Sequence, residues 1–153
     1  MMNVPYSSPD VSLPRDGGEM LNLNELRPKN VVLFFYPRDA TPSCTKEAIA
    51  FSQAKEDFEK LNTVIIGISK DSIESHEKFK KKYRIPFQLL SDPEVKSQKK
   101  YGVWGMKSFM GKKFLGTIRS TVFIDKGKVK KIWTNVRVKD HAKEVLNFVS
   151  SYK

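Results

Sequence analysis

Val31-Val32-Leu33-Phe34-Phe35-Tyr36 runs directly into Pro37-Arg38-Asp39-Ala40-Thr41-Pro42-Ser43-Cys44-Thr45-Lys46-Glu47. The unbroken apolar run predicts a central strand covered on both faces. The turn residues that follow end it, and a helix begins. Thr41 reads as its N-cap, and Pro42 suits the first helical position, where a missing N–H costs nothing. Cys44 then becomes the third helical residue, close to unpaired backbone N–H groups and the positive end of the helix dipole. Such surroundings stabilise a thiolate, the form of cysteine that attacks. Cys44 is the only cysteine in the chain. A buried structural thiol is the competing reading, and the helix-terminus context weighs against it.

Outward from this stretch the chain alternates strands and helices. Residues 1–30, rich in Pro, Gly and Asn, predict a short hairpin or loop, with Leu21, Leu23 and Leu26 closing onto the domain. The helix from Pro42 to about Leu61 places Phe51, Ala54, Phe58 and Leu61 on one face. Thr63 to Ile68 reads as a second buried strand. Asp71 followed by Glu74 has the form of a start for a helix that runs to Arg84, ahead of Pro86. Phe87 to Leu90 predicts a short strand, and Asp92-Pro93 opens a helix ending near Tyr101-Gly102. A basic, Gly-containing loop leads to a hairpin of Ser120–Ile124 and Val129–Val136, turned at Lys126-Gly127. The last helix carries Ala142, Val145, Leu146, Val149 and Tyr152 on one stripe. Strand–helix–strand–helix, then an antiparallel hairpin and a closing helix, is the order of a thioredoxin-like α/β fold.

The 153 residues predict a single domain over residues 1–153, with a core that needs neither disulfide nor structural metal. One thiol excludes an internal disulfide and any CxxC redox or zinc pair. Two histidines and one cysteine make a poor metal site, so neither metal nor cofactor is expected. His76 and His141 read as surface or core residues of amphipathic helices. The opening residues lack the apolar centre of a signal peptide, and no apolar stretch could span a bilayer. The expectation is a cytoplasmic protein with no membrane partner, in a compartment that keeps Cys44 reduced. The formal net charge is +11, with lysines clustered at 78–84, 99–100, 112–113 and 126–131. Phe79 and Tyr83 lie one helical turn apart, so they can face a core while Lys78, Lys81 and Lys82 face water. No nucleic-acid motif or aromatic stacking array accompanies the charge. Weak, non-specific DNA binding is the most that this surface implies.

Pro37-x-x-x-Thr41-x-x-Cys44 resembles the peroxidatic motif of the peroxiredoxins. The longer stretch FYPRDATPSCTKEAIAF is similar to the branch called bacterioferritin comigratory protein or peroxiredoxin Q. Gly67–Ser72, His76–Phe79, Pro86–Asp92, Tyr101–Trp104 and Arg119–Asp125 extend the likeness, which covers nearly the whole chain from Asp10 onward. The resemblance implies a thioredoxin-like fold whose central mixed sheet is flanked by helices. It also implies a peroxidase in which a hydroperoxide oxidises Cys44 to sulfenic acid. Thr41 would hydrogen-bond the peroxide, Pro37 would shield the thiolate, and Arg119 would approach both sulfur and peroxide. Glu47 would hold that arginine in place.

Elementary kinetics says why a thiol cannot do this alone. Lowering a thiol pKa from about 8.5 to about 6 raises the thiolate fraction roughly thirtyfold at neutral pH. The accompanying loss of nucleophilicity takes back roughly tenfold. Donors that align the O–O bond and stabilise the departing oxygen must supply the rest. Many members of the branch place a second cysteine five residues after the first, and that position here is Ile49. A one-cysteine enzyme is therefore expected, its sulfenic acid resolved by thioredoxin, glutaredoxin or glutathione, acting as a monomer or weak homodimer. The alternative class is a basic nucleic-acid-associated or redox-relay protein on a thioredoxin-like scaffold.

Overall fold

The computed structural model describes residues 4–26 and 28–152. Chain positions 1–3, part of the expected N-terminal loop, lie outside the described residues. Strand β4 (Asn30–Phe35) pairs in parallel with β5 (Thr63–Ser69), which pairs in parallel with β6 (Gln88–Ser91). On its other side β4 pairs antiparallel with β9 (Ser120–Asp125), followed by β10 (Lys128–Trp133) and the short β1 (Tyr6–Ser7). The resulting order β1-β10-β9-β4-β5-β6 is the mixed sheet that the resemblance implied. A second small sheet joins β2 (Ser12–Pro14) to β3 (Met20–Asn22), the expected N-terminal hairpin.

The central strand splits its side chains between two cores, as the two-residue period of a strand requires. Val32, Phe34 and Tyr36 pack with α1 (Pro42–Lys60), α2 (Ile73–Tyr83) and α4 (His141–Ser151) through Phe51, Phe58, Phe79, Val145 and Val149. Val31, Leu33 and Phe35 pack on the other face against Val11, Leu21, Leu23, Tyr101 and Val103. Phe51 is fully buried and stacks on Phe34 with ring centroids 4.8 Å apart. Burying such a ring contributes about 1.5–3 kcal/mol. That contact ties the first helix to the middle of the sheet and sets the height at which Cys44 stands.

Three elements depart from the sequence reading. Residues 104–117 form not a loop but a hairpin of β7 (Trp104–Phe109) and β8 (Lys112–Thr117). Its two-residue turn, Met110-Gly111, has positive φ at both positions, 51° and 81°, so it is a primed hairpin turn without the usual Asn-Gly signature. The helix expected from Asp92 is only α3 (Lys96–Lys100), because Val95 adopts a left-handed φ of 52°. Helix α2 is capped by Ser72, whose side chain accepts the Ser75 N–H at 3.1 Å, rather than by Asp71.

Gly67, on β5, has ordinary backbone but no room. A Cβ there would stand 2.8 Å from Leu89 Cδ2 and 2.9 Å from Phe34 Cζ. Overpacking a core at this level costs about 1–3 kcal/mol, more than the entropy gained by removing a strand glycine. Gly67→Ala should lower the midpoint of urea unfolding with an unchanged slope; a midpoint at or above wild type would show that Leu89 and Phe34 can give way.

Candidate active site

The sheet register decides which residue meets Cys44. Phe35, the last residue of β4, pairs with Ser120, the first of β9. Arg119 therefore emerges beside the point where the chain leaves β4 and turns through Pro37–Thr41 into α1. Within α1, Cys44 and Glu47 are three residues apart and share a face. Arg119 bridges the two. Its Nη2 donates to Cys44 Sγ at 3.4 Å, and its Nη1 donates to Glu47 Oε1 at 2.7 Å. The planar, always charged guanidinium suits this task, since two donors leave it in fixed directions.

Cys44 and Glu47 are buried, and Arg119 keeps an edge at the surface. Cys44 is 1% exposed, Glu47 2%, and the Arg119 side chain 13%. Burial pulls the Arg119 pKa down, but Glu47 and Cys44 outweigh it and hold the guanidinium above its ordinary value. Glu47 is the less comfortable partner. Burial pushes its carboxyl up to about 7, although Arg119 pulls the other way. Its second oxygen, Oε2, has no hydrogen-bond partner among the described residues.

The other expected residues lie on the adjoining loop. Thr41 sits at the N-cap position with extended backbone, yet its side chain makes no capping bond. Its hydroxyl donates instead to the Arg38 carbonyl at 3.0 Å, bracing the loop rather than the helix. The capping role expected of that side chain is thus corrected: the hydroxyl is turned toward the Arg38 carbonyl, and no helix N–H reaches its oxygen. Pro37 is half-buried at the start of the same loop, and neither residue is hydrogen-bonded to Cys44.

Three further residues, Lys107, Asp39 and His76, were not legible as part of the site. Lys107, on β7, has its pKa drawn down by burial and by Arg119, while Cys44 acts in the opposite sense. It sits in the β7–β8 hairpin, where the sequence pattern predicts a loop. Asp39, inside the motif, and His76, fully buried on α2, stand 2.7 Å apart. His141 is also buried, bonded through Nε2 to Thr121 Oγ1 at 2.7 Å. Burial, then the Arg119 charge, pushes its pKa down to about 4, so it is neutral. Among the described residues no cluster of three or more His, Cys, Asp or Glu side chains could hold a metal ion. Nor is any helix of these residues long and apolar enough to cross a membrane.

Comparison with known proteins gives the family. Residues 5–132 match the model of the AhpC/TSA family. Peroxiredoxin Bcp of Bacillus subtilis is 45% identical over 146 residues, covering 95% of this chain and 93% of that protein. The chain belongs to the AhpC/TSA family, in its Bcp/PrxQ peroxiredoxin branch. A putative peroxiredoxin bcp of Coxiella burnetii is 44% identical over 95% of this chain and 97% of its own. The crystal structure of a Xylella fastidiosa PrxQ mutant superposes with a TM-score of 0.93 at 30% identity, over 99% of this chain and 98% of that one. Within this branch the chain is a one-cysteine member.

The Glu47 carboxyl has a consequence for stability. Its pKa rises from an ordinary 4.5 to about 7 in the fold. Between those values the folded chain holds a proton that the unfolded chain has lost, so this group favours folding less as pH rises through the window. The whole effect is at most roughly 3–4 kcal/mol. Glu47→Gln should flatten that part of the stability–pH profile, measured by urea unfolding at pH 5 and pH 7.5. Equal slopes in both proteins would show that Arg119 keeps the carboxylate ionised throughout.

Proposed function

We propose that this peroxiredoxin reduces hydrogen peroxide and organic hydroperoxides through Cys44 alone, with an external thiol completing the cycle. The contact from Arg119 Nη2 to Cys44 Sγ carries the reading. The Cys44 thiolate attacks the terminal peroxide oxygen; the S–O bond forms as the O–O bond breaks, and RO⁻ leaves and takes a proton. Cys44 becomes a sulfenic acid. Arg119 is the donor that can follow the charge from sulfur to the departing oxygen. Glu47 holds the guanidinium by its other edge. Thr41 spends its proton on Arg38, so it offers the peroxide an acceptor for the O–H of ROOH rather than a donor. Pro37 shields the sulfur from the loop side.

The sulfenic acid needs a thiol from outside, since no second cysteine exists. One thiol displaces water to form a mixed disulfide, and a second releases Cys44 and carries away the disulfide. At 1% exposure Cys44 favours a small thiol such as glutathione over the larger surfaces of glutaredoxin or thioredoxin. A reducing cytoplasm would supply it. Until then the sulfenic acid is open to further oxidation to sulfinic acid.

Stopped-flow reaction with hydrogen peroxide tests this, with alkylation by iodoacetamide as the control. Arg119→Met should slow peroxide attack by about 10²–10³, the usual loss for one such donor, and slow alkylation far less. Thr41→Val should act in the same sense. A wild-type rate no better than that of a free thiol at the same pH contradicts the peroxidase reading, and equal losses in both assays would reduce Arg119 to a structural charge.

Ile49 gives a second test. It lies half-buried within the continuous helix α1, five residues beyond Cys44 and too far for a disulfide while the helix is intact. With no cysteine there, no chemistry rewards unwinding this turn. Ile49→Cys should lose two hydrogens by intact-mass spectrometry after one equivalent of peroxide, whereas wild type should gain one oxygen. Accumulation of the same sulfenic acid in the variant would mean that the helix does not open.

A further inference from the structure

Asp39 takes no part in the chemistry above, yet it is the most heavily bonded side chain of the loop that leads to Cys44. It is 6% exposed. The Tyr36 hydroxyl donates to its Oδ1 at 2.6 Å and the Ser75 hydroxyl to its Oδ2 at 2.7 Å. His76 Nδ1 stands 2.7 Å from the same Oδ2. The backbone N–H of Asp39 donates to Asp71 Oδ2 at 2.8 Å, and Ser69 Oγ donates to that oxygen at 2.6 Å. The loop is thereby tied to β4, β5 and α2 through one residue.

His76 is completely buried, and both of its ring nitrogens face acceptors. Nδ1 meets the Asp39 carboxylate, and Nε2 lies 2.9 Å from the Leu90 carbonyl oxygen of β6. A carbonyl can only accept, and a carboxylate already receiving two hydroxyl protons accepts as well. Satisfying all of these atoms requires a proton on each nitrogen, which makes His76 an imidazolium.

We propose that the buried Asp39–His76 ion pair positions the loop carrying Pro37 and Thr41 beside Cys44, making His76 a positioning residue for peroxide attack although it touches neither sulfur nor peroxide. This rests on the peroxidase reading above. The direction of the His76 pKa agrees: burial lowers it, but Asp39, the Leu90 carbonyl and Asp71 outweigh burial and raise it. Tyr36 is held well above its ordinary value by burial and Asp39, so it remains a neutral donor. Asp71 and Tyr36 face the pair directly, and Glu74, Lys78 and Lys82 stand around the cleft that Asp39 lines. A cleft of about 350 Å³, which Asp39 and Ser75 line together with Glu74, Lys78 and Lys82, gives solvent a route for proton exchange. Because the folded pKa is raised above the unfolded one, the contribution of His76 is complete below the ordinary value and is lost as pH rises through the folded one.

The readout is the ratio of the peroxide rate constant to the alkylation rate constant, which cancels ionisation of Cys44. In wild type this ratio should hold through neutral pH and fall at alkaline pH as the imidazolium is lost. His76→Gln should lower the ratio at neutral pH by about fivefold or more and abolish the alkaline step, and Asp39→Asn/His76→Gln should cost no more than either single change. Side-chain ¹⁵N–¹H spectra of wild type should show His76 with both nitrogens protonated at pH 7. A bare nitrogen there, a flat wild-type ratio, or a wild-type ratio in His76→Gln overturns the proposal. Should His76→Gln fail to fold, the spectrum and the wild-type pH course still decide. A wild-type peroxide rate no faster than a free thiol overturns the peroxidase reading and this proposal together; a fast wild type with an unchanged ratio in His76→Gln overturns the positioning role alone.

Discussion

One guanidinium holds the site together. Arg119 reaches Cys44 with one arm and Glu47 with the other, joining residues 75 and 72 positions apart in the chain. Nothing local could do this. It depends on β9 lying antiparallel against β4, with Ser120 opposite Phe35, so that the residue just before β9 arrives where α1 begins. The aromatic packing of α1 on β4 through Phe51 and Phe34 then fixes the distance between helix and strand end. A shift of one residue in the β4–β9 register would turn Arg119 to the other face of the sheet. The chemistry is therefore a property of the sheet as much as of the motif.

Two buried ion pairs flank the loop between β4 and α1, and they differ in how well they are satisfied. The Asp39 carboxylate gathers Tyr36, Ser75 and His76, leaving no oxygen without a partner. Glu47 gives one oxygen to Arg119 and leaves the other bare. A buried charge whose lone pairs are unfilled costs more than one that is fully bonded. That contrast fits their places. The Asp39 pair anchors a loop and needs to be rigid, while the Glu47–Arg119 pair sits beside a sulfur whose charge changes during the cycle.

Much of this was readable from residues. The strand at Val31–Tyr36, the helix from Pro42 and the position of Cys44 in its first turn follow from a buried run, a proline and a cap-type threonine. The hairpin at 104–117 was not, because lysines and exposed apolar residues alternate there without core periodicity, and Met110-Gly111 is an unusual primed turn. Thr41 occupies the N-cap position, as its residue type suggested, but whether its hydroxyl turns to a helix N–H or to a loop carbonyl is not written in the sequence. Arg119 was placed near Cys44 by resemblance and by the need for a donor, not by spacing. In sequence His76 looks like an ordinary helical histidine, since its partners Asp39 and Leu90 lie 37 and 14 residues away and meet it only after the sheet has formed.

The most direct measurement is the stoichiometry of peroxide consumption by the reduced protein with no thiol present. A lone Cys44, in contact with Arg119 and lacking an internal partner, should consume one equivalent of peroxide per chain in a single fast phase and then stop. The product should be a monomer that takes one dimedone on Cys44. Continued rapid turnover without added thiol, a fast phase well below one equivalent, or a disulfide-linked dimer as the main product would contradict the account.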